Sequence, residues 1–346
     1  MRALALLTAS LIWVPPALAE PAGPEAEVDP ARLFDLVRAL PPSRTAWATP
    51  ADQQVLKDTE EWVLARLREL GYEPVEQPLR WTTGGVARVP DGDGWRVVPD
   101  PQPRTWRNFY VEIPGRAAPE EVVLVGAHFD SVPGTPGADD NASGTAAALE
   151  LARVLKDRPM RSTVRIVFFN LEEIGLIGST EHAQWTRARI EAGVERVVGM
   201  LSLEMLGYYT DEPGGQRSPI PAIPGVFEPP TVGDFLAVVA TQASADFAQR
   251  LADAMRGAGA GLPIRTIAFI PGDGSAFPDV RRSDHAPFWD IGVPAVLVTD
   301  TSEFRTPHYH KPSDTADTLD PVRYPEAVRA IAAGVWRLAG PLPADD

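Results

Sequence analysis

The sequence contains no cysteine, so disulfide bonds, thiolate metal sites and a cysteine nucleophile are all excluded. Basic residues are few relative to acidic ones, since 32 Lys and Arg against 47 Asp and Glu give a formal net charge of −15. This negative charge argues against a nucleic-acid partner. With 44% hydrophobic and 23% charged residues, the composition is typical of a folded globular protein with a substantial buried core.

Long apolar runs are also scarce, and the one of note is at the N-terminus. Residues 3–14 are mostly apolar, follow Arg2, and precede two prolines and the small residues before Glu20. This order predicts a signal peptide over residues 1–19, cleaved after Ala19. The run is too short to span a bilayer, and no other segment has the apolar length of a membrane helix. We therefore expect a soluble mature chain without membrane contact, either secreted or periplasmic.

Compact apolar segments rich in β-branched residues alternate with helical patterns along the rest of the chain. Strands are predicted at 121–128, 163–170, 197–204, 234–241, 264–270 and 295–300. Helices are predicted at 30–40, 50–69, 142–156, 178–191, 243–258 and 321–339. This alternation predicts an α/β fold whose mostly parallel sheet is covered by helices on both faces. We expect one domain over residues 20–346 with a helical lead-in at its N-terminus.

One long segment, residues 210–232, is dense in proline and glycine and has no periodicity. Loops of this length inside compact domains are usually functional or disordered. Because the loop follows a strand that ends in Glu204, we expect it to contribute walls to a binding pocket.

Polar side chains follow several of the predicted strands. His128 and Asp130 follow the first of them, Glu172 and Glu173 the second, and Glu204 ends the third. The last strand is followed after a short loop by His308, Tyr309 and His310. Open α/β sheets bind their ligands at the carboxyl ends of the strands, so these side chains are expected to converge there.

The acidic residues in this set point to metal ions. Glu172 and Glu173 follow a buried strand, and adjacent carboxylates out of water need a cation. Asp139 and Asp140 precede a predicted helix, where capping explains one aspartate but not readily both. Imidazole and carboxylate ligands without thiolate are typical of catalytic zinc sites. Two histidines and three acids would hold two ions with one carboxylate bridging, and one of the two adjacent glutamates would be left as general base.

Five motifs resemble a known family in order and spacing. They are GAHFDS (126–131), GADDNASG (137–144), NLEEIGLIGS (170–179), SDHAPF (283–288) and YHKPSDT (309–315). Over residues 105–340 the chain resembles the co-catalytic zinc aminopeptidases of the secreted bacterial leucyl-aminopeptidase type. Their superfamily also contains glutamate carboxypeptidases and glutaminyl cyclases. The resemblance implies a phosphorylase/hydrolase-like zinc-peptidase architecture, two Zn²⁺ ions per chain and peptide substrates with a free N-terminus.

The resemblance also implies a role for each matching residue. It gives the metal ligands as His128, Asp140, Glu173, Glu204 and His310, with Asp140 bridging the ions. Glu172 matches the general base that assists attack by a metal-bridging hydroxide. Tyr309 matches a phenol that stabilises the oxyanion, and Asp130 a carboxylate that orients His128. Asp284 and His285 match a motif that lines the substrate pocket.

One position departs from the family pattern, and two histidines stay outside it. Glu204 stands in SLEMLG where most relatives have aspartate, so the ligand is longer by one methylene group. This change affects how tightly the second ion and the amine of a substrate are expected to bind. His182 is expected to be a packing histidine. His308 competes with His310, which is preferred because of the resemblance alone.

Three other functions stay open from the sequence. A carboxypeptidase or dipeptidase would need a basic pocket, and Arg281, Arg282 and Arg305 flank the pocket motifs. A glutaminyl cyclase would use one zinc ion on the same scaffold, although His128 and the loop around Asp140 argue against it. A binding module that has lost catalysis would show a damaged ligand set. Serine hydrolysis is disfavoured because the sequence has no G-x-S-x-G motif.

Overall fold

An eight-stranded mixed sheet forms the centre of the computed structural model, which describes residues 23–82, 86–91, 94–99, 104–256 and 261–343. Its strands are β1 (Val75–Thr82), β4 (Thr105–Ile113), β5 (Ala118–His128), β6 (Ser162–Phe169), β7 (Arg196–Glu204), β8 (Leu236–Thr241), β9 (Ile264–Ile270) and β10 (Ala295–Thr299). Two further strands, β2 (Val86–Asp91) and β3 (Gly94–Pro99), pair only with each other. The predicted signal peptide lies outside the described residues.

The strand order is β1-β4-β6-β5-β7-β10-β8-β9. The four central strands β6, β5, β7 and β10 are parallel, and so is the pair β8 and β9. Antiparallel pairing is confined to β1 with β4, β4 with β6, and β10 with β8. The predicted mostly parallel α/β sheet is therefore confirmed, with antiparallel joins on either side of its centre.

The helices are α1 (Pro30–Ala39), α2 (Pro50–Glu69), α3 (Gly144–Leu155), α4 (Ile177–Glu191), α5 (Ala245–Arg256), α6 (Ala286–Asp290) and α7 (Arg323–Ala339). The first two begin with proline. An N–H group at the first position of a helix has no intrahelical acceptor, so proline loses no hydrogen bond there. Asp29 caps α1, and Thr49 forms a reciprocal capping box with Asp52 at the start of α2. Within the described residues, no helix combines the length and apolar composition needed to cross a membrane.

Alternate residues of the central strands pack on opposite faces of the sheet. Val123 and Val125 of β5 join the larger apolar core, with side chains of α1, α2, α3, α5 and α7. Leu124 joins a smaller core on the other face, which includes residues of α4 and α6. Helices cover both faces, which explains why the central strands are apolar at nearly every position.

The pairing register aligns the carboxyl ends of the parallel strands. His128 at the end of β5 pairs with Phe169 at the end of β6, and Glu204 of β7 pairs with Thr299 of β10. The residues that follow these strands therefore share one edge of the sheet, as the sequence predicts.

Candidate metal centre

The first group of potential ligands surrounds the imidazole of His128. Its Nε2 atom lies 3.4 Å from Asp140 Oδ1 and 3.2 Å from Glu204 Oε2. The His128 side chain is only 1% exposed, and Nε2 makes no hydrogen bond within the described structure. An unpaired buried nitrogen facing two carboxylate oxygens is the arrangement expected of a metal ligand.

The second group uses the other oxygen of the same aspartate. Asp140 Oδ2 lies 3.1 Å from His310 Nε2, and Glu173 Oε2 lies 3.3 Å from that nitrogen. Glu173 Oε1 is buried and has no hydrogen-bond partner among the described residues. Asp140 thus belongs to both groups and presents one oxygen to each.

The spacing and the chemistry of these groups fit zinc. Ligand atoms roughly 2.0–2.1 Å from a tetrahedral zinc ion lie about 3.3 Å from one another, close to the nitrogen–oxygen distances of 3.1–3.4 Å seen here. Two imidazoles and three carboxylates supply only the nitrogen and oxygen ligands found in catalytic zinc sites. The structure thus brings together all five residues that the resemblance implies as ligands.

The buried acids also show why a cation would be favourable here. Burial raises the pKa of Glu172 and Glu204, and burial together with the nearby Asp140 raises the pKa of Glu173 to about 7. Burial disfavours the charged form of His310, but hydrogen bonds to Asp140 and Glu173 outweigh it and raise the pKa of His310 to about 10. Carboxylates that retain protons when buried together are able to ionise once a divalent cation neutralises them.

Asp130 joins the histidine to the turn that carries the two glutamates. Its Oδ1 accepts a hydrogen bond of 3.1 Å from the backbone N–H of Glu172, and its Oδ2 accepts one of 3.2 Å from Glu173. His128 Nδ1 faces the Asp130 side chain at 3.4 Å and its backbone carbonyl at 3.2 Å. These contacts fix the ring orientation so that Nε2 faces Asp140 and Glu204.

Glu172 and Tyr309 belong to neither ligand group but line the same pocket. Glu172 is 9% exposed, and its Oε2 lies 4.0 Å from His128 Nε2. The Tyr309 hydroxyl accepts a 2.7 Å hydrogen bond from Arg282, and its ring stacks on His310 with centroids 3.7 Å apart. The phenolic proton of Tyr309 is therefore available for a second partner.

A hydrogen bond from Ser283 orients the Glu204 carboxylate. Ser283 donates a 2.8 Å hydrogen bond to Glu204 Oε2, the same oxygen that faces His128. The Ser283 hydroxyl is in turn 3.0 Å from the hydroxyl of Ser202. These two hydroxyls therefore hold the Glu204 oxygen that faces His128 in the candidate metal centre.

The expectation that one of the two aspartates caps α3 is corrected by the structure. Asn141 accepts the hydrogen bond from the N–H of Gly144, whereas neither Asp139 nor Asp140 caps the helix. The backbone N–H groups of both aspartates instead donate to the carboxylate of Asp314, at 2.9 and 3.2 Å. A turn with non-helical dihedral angles at Asp140 and Asn141 precedes α3 and directs the Asp140 side chain to the metal centre.

The structure buries Asp284 and His285 behind the pocket instead of in its wall. Both are at most 1% exposed, and His285 Nε2 faces the carbonyl oxygen of Val280 at 2.8 Å. Ser283 of the same motif lines the pocket, as does Arg282, which directly precedes the motif. The turn before α6 therefore brings the first residue of the motif to the pocket, and not Asp284 or His285.

The two remaining histidines lie apart from both ligand groups. His182 is fully buried, faces Gln77 at 2.8 Å and packs among aromatic rings, as predicted for a packing histidine. His308 faces Ser313 at 3.0 Å and contacts the ring of Tyr208 edge-on. Of His308 and His310, only His310 therefore belongs to a candidate ligand group among the described residues.

A pocket of about 910 Å³, including its open mouth, adjoins the metal centre. Acidic side chains lie at the metal end, among them Asp140, Glu172 and Glu204. Much of the remaining wall is apolar and comes from the long loop, from the residue just before β8, and from β8, β9 and β10, namely Ile220, Phe227, Phe235, Val239, Ile267 and Leu297. The predicted role of loop 210–232 in the pocket wall is confirmed, whereas the strand residues gave no signal in the sequence beyond their burial.

Comparison with solved structures supports the fold. A zinc aminopeptidase from Bacillus subtilis aligns with a TM-score of 0.65 at 16% identity, over 90% of this chain and 95% of that one. An aminopeptidase from Aneurinibacillus sp. aligns with a TM-score of 0.63 at 17% identity, over 93% and 98%. A glutaminyl cyclase from Fimbriiglobus ruber aligns with a TM-score of 0.60 at 18% identity, over 90% and 95%. Peptidases and a cyclase therefore share this fold.

Comparison with curated sequences gives closer relatives. The chain is 35% identical over 221 residues to the uncharacterized protein YfbL of Escherichia coli, covering 61% of this chain and 65% of that protein. It is 26% identical over 219 residues to aminopeptidase YwaD of Bacillus subtilis, covering 62% and 41%. The chain thus spans less than two thirds of the length of either relative.

A protein-family model matches most of the chain. The model described as peptidase family M28 matches residues 108–335, a range that contains both candidate ligand groups. The fold agrees with the α/β structures of aminopeptidases in that family. On this match over most of its length, the chain belongs to peptidase family M28.

Proposed function

We propose that this protein is a secreted or periplasmic exopeptidase that holds two zinc ions and releases residues from the N-termini of peptides. Membership of a metallopeptidase family supports hydrolysis. The observation that carries the two-ion proposal is the position of Asp140 between His128 and His310, at 3.4 and 3.1 Å, with a different oxygen towards each.

In this proposal His128 and Glu204 hold one ion, Glu173 and His310 hold the other, and Asp140 holds both. When bound, the zinc ions supply polarisation of the scissile carbonyl and a lowered pKa for water. The chain itself supplies a proton acceptor and an orienting donor. Glu172, beside both groups but in neither, would take the proton from the attacking water and later deliver it to the leaving amine.

Tyr309 would donate the hydrogen bond to the developing oxyanion. Its hydroxyl oxygen is already fixed by Arg282 at 2.7 Å, so the phenolic proton points away from that contact. A donor held in place before the reaction costs no reorganisation when charge develops. Asp130 would keep His128 and the backbone of Glu172 in register throughout.

The distribution of charge along the pocket supports release from the N-terminus. The acids at the metal end would attract the α-ammonium group of the substrate, and the apolar wall would contact the side chain of its first residue. A carboxypeptidase would need an arginine free to bind the substrate carboxylate. Two of the three candidates already have partners, since Arg281 pairs with Asp290 and Arg305 donates to Gln216. Arg282 lines the pocket but is held by Glu303 and Tyr309.

Peptides that differ only at their ends test this proposal. Phe-Ala-Ala-Ala should lose its first residue, and C-terminal amidation should leave that rate within about twofold. N-terminal acetylation should abolish release, because it removes the charge that the acids attract. Loss of activity on amidation would instead identify a carboxypeptidase. Cyclisation of an N-terminal glutamine without hydrolysis, with about one zinc ion per chain, would identify a cyclase.

The apolar wall gives a prediction about substrate preference. Val239→Phe fills the pocket from β8 and should lower kcat/KM for an N-terminal Phe about tenfold or more relative to an N-terminal Ala. The measurement is the ratio of the two kcat/KM values in the variant and in the parent protein. An unchanged ratio would show that the side chain of the first residue binds elsewhere.

The glutamate at position 204 gives a second prediction. Glu204→Asp should retain both ions or bind the second more tightly, because aspartate is the residue usual in the family. Glu204→Ala should lower zinc content towards one ion per chain, since it removes the oxygen 3.2 Å from His128. Metal analysis after dialysis distinguishes these outcomes, and two retained ions in Glu204→Ala would remove Glu204 from the ligand set.

A further inference from the structure

An arginine outside the sequence motifs lies buried behind the metal centre. Arg44 is on the segment between α1 and α2, before the region matched by the family model begins at residue 108. Its side chain is completely buried. Burial lowers the pKa of Arg44 to about 10, so the guanidinium stays charged at neutral pH. A buried charge is costly unless it is well bonded, so its contacts indicate its role.

All four hydrogen bonds of the Arg44 guanidinium go to backbone carbonyls. One goes to Pro41, 2.7 Å away on its own segment. The other three go to Phe129, Pro136 and Gly137 at 2.8, 2.7 and 3.1 Å. Phe129 and Gly137 are the two ends of the loop that connects β5 to the turn bearing Asp140, so one side chain fixes both ends of that loop.

The backbone around Arg44 binds the same loop. Arg44 N–H donates to the hydroxyl of Ser131 at 3.1 Å, and Ser131 N–H donates back to the carbonyl of Arg44 at 2.9 Å. Ser43 bonds to the loop through Thr135 and Gly134, at 2.9 and 2.7 Å. We call Ser43 and Arg44 the clip.

A glycine in the loop permits this close approach. Gly137 has a φ angle of 58°, and a Cβ atom there would lie 2.9 Å from Arg44 Nη2. The loop is thus shaped to receive the guanidinium.

We propose that Arg44 is a positioning residue for the metal centre, which it acts on through loop 129–137. At one end of the loop is Asp130, which orients His128, and just beyond the other end is Asp140, which faces both histidines. Holding both ends at once fixes the separation between His128 and Asp140. The proposal rests on the proposed function only in taking these residues as zinc ligands.

The sign of the effect on zinc affinity distinguishes positioning from simple electrostatics. The charges nearest to Arg44 are acidic and include Asp130, Asp140, Glu173 and Asp314. If Arg44 acted only through its charge, removing it would make the electrostatic potential at the ligands more negative, and zinc would bind more tightly. If Arg44 positions the ligands, removing it lets the loop relax and zinc binds more weakly, by the 10- to 100-fold typical of lost supporting contacts.

The test measures zinc dissociation constants by competition with a chromogenic chelator, together with folding by circular dichroism. Arg44→Met should weaken zinc binding by about 10- to 100-fold. Arg44→Lys keeps the charge but cannot reach both ends of the loop, so it should also bind zinc more weakly than the parent. Arg165→Met is the matched control, since Arg165 is 1% exposed but pairs with Glu195 and Glu112, away from the ligands.

Three outcomes would overturn the proposal. They are tighter or unchanged zinc binding in a folded Arg44→Met, full recovery in Arg44→Lys, and equal weakening in Arg165→Met. If Arg44→Met does not fold, Arg44→Lys decides on the same criterion. Because zinc affinity is measured without substrate, a parent protein that binds zinc and cleaves no peptide would refute the proposed function and leave the Arg44 proposal standing.

Discussion

Replacing Glu172 with glutamine is expected to lower kcat by about 10²- to 10⁴-fold, the usual contribution of a general base. Glutamine has nearly the same shape but cannot accept the proton. Because Glu172 belongs to neither ligand group, the zinc content should stay at the parent value. The assay combines peptide turnover with metal analysis on the same sample, so that loss of catalysis is separated from loss of metal.

Glu191→Gln provides the control for this experiment. Glu191 pairs with Arg187 on the exposed surface of α4, where both side chains are 61% exposed. The same chemical change there should leave kcat unchanged. Retained turnover in Glu172→Gln would remove Glu172 as the base, and loss of zinc from that variant would make Glu172 a ligand.

The second large effect is expected at Asp140, the residue shared by both groups. Asp140→Ala should lose both ions and all measurable activity, because one side chain supplies an oxygen to each group. Asp140→Asn keeps one carbonyl oxygen and should retain at most one ion. Ligands that bind only the folded state raise its stability, so added zinc should raise Tm in the parent and not in Asp140→Ala.

Asp253→Asn on the surface of α5 is a suitable control, since the Asp253 side chain is 62% exposed. It should bind zinc and respond to it as the parent does. If Asp140→Ala still bound two ions, or if Asp140→Asn bound as many as the parent, Asp140 would not be a bridging ligand.

The sequence predicts the frame of the site well because the rule involved is geometric. Residues that follow parallel strands must share one edge of the sheet, and His128, Glu173 and Glu204 all do. Continuous apolar segments are distinctive enough to locate those strands to within a few residues. The positions of the strand ends can therefore be predicted without knowledge of long-range contacts.

Side chains positioned by irregular backbone are a different matter. The sequence does not say which of Asp139 and Asp140 faces the metal centre, because a non-helical turn before α3 decides it. Nor does spacing separate His308 from His310, since the latter adopts a left-handed φ of 56° within an irregular segment. Such conformations depend on tertiary contacts more than on local preference.

Contacts between distant segments are the least predictable part. Arg44 has no neighbouring histidine or acid in the sequence that would single it out, and its partners are backbone carbonyls, which every residue has. The apolar pocket wall is equally hard to predict. In the sequence Val239 and Leu297 have the pattern of ordinary core residues, and only the position of the long loop makes them line a pocket. The sequence shows no more of Ser43 and Arg44 than an isolated arginine before a predicted helix.

The carboxylate of Asp314, which accepts hydrogen bonds from the N–H groups of Asp139 and Asp140, bears on when the candidate metal centre can be completed during biosynthesis. The turn bearing Asp140 is held from one side by residue 44 and from the other by residue 314, which are far apart in the sequence. A ribosome must therefore translate the chain past residue 314 before that turn has both supports. A cation that needs the final geometry of this turn would then bind only after residue 314 has been translated, and it would not guide the early collapse of the chain.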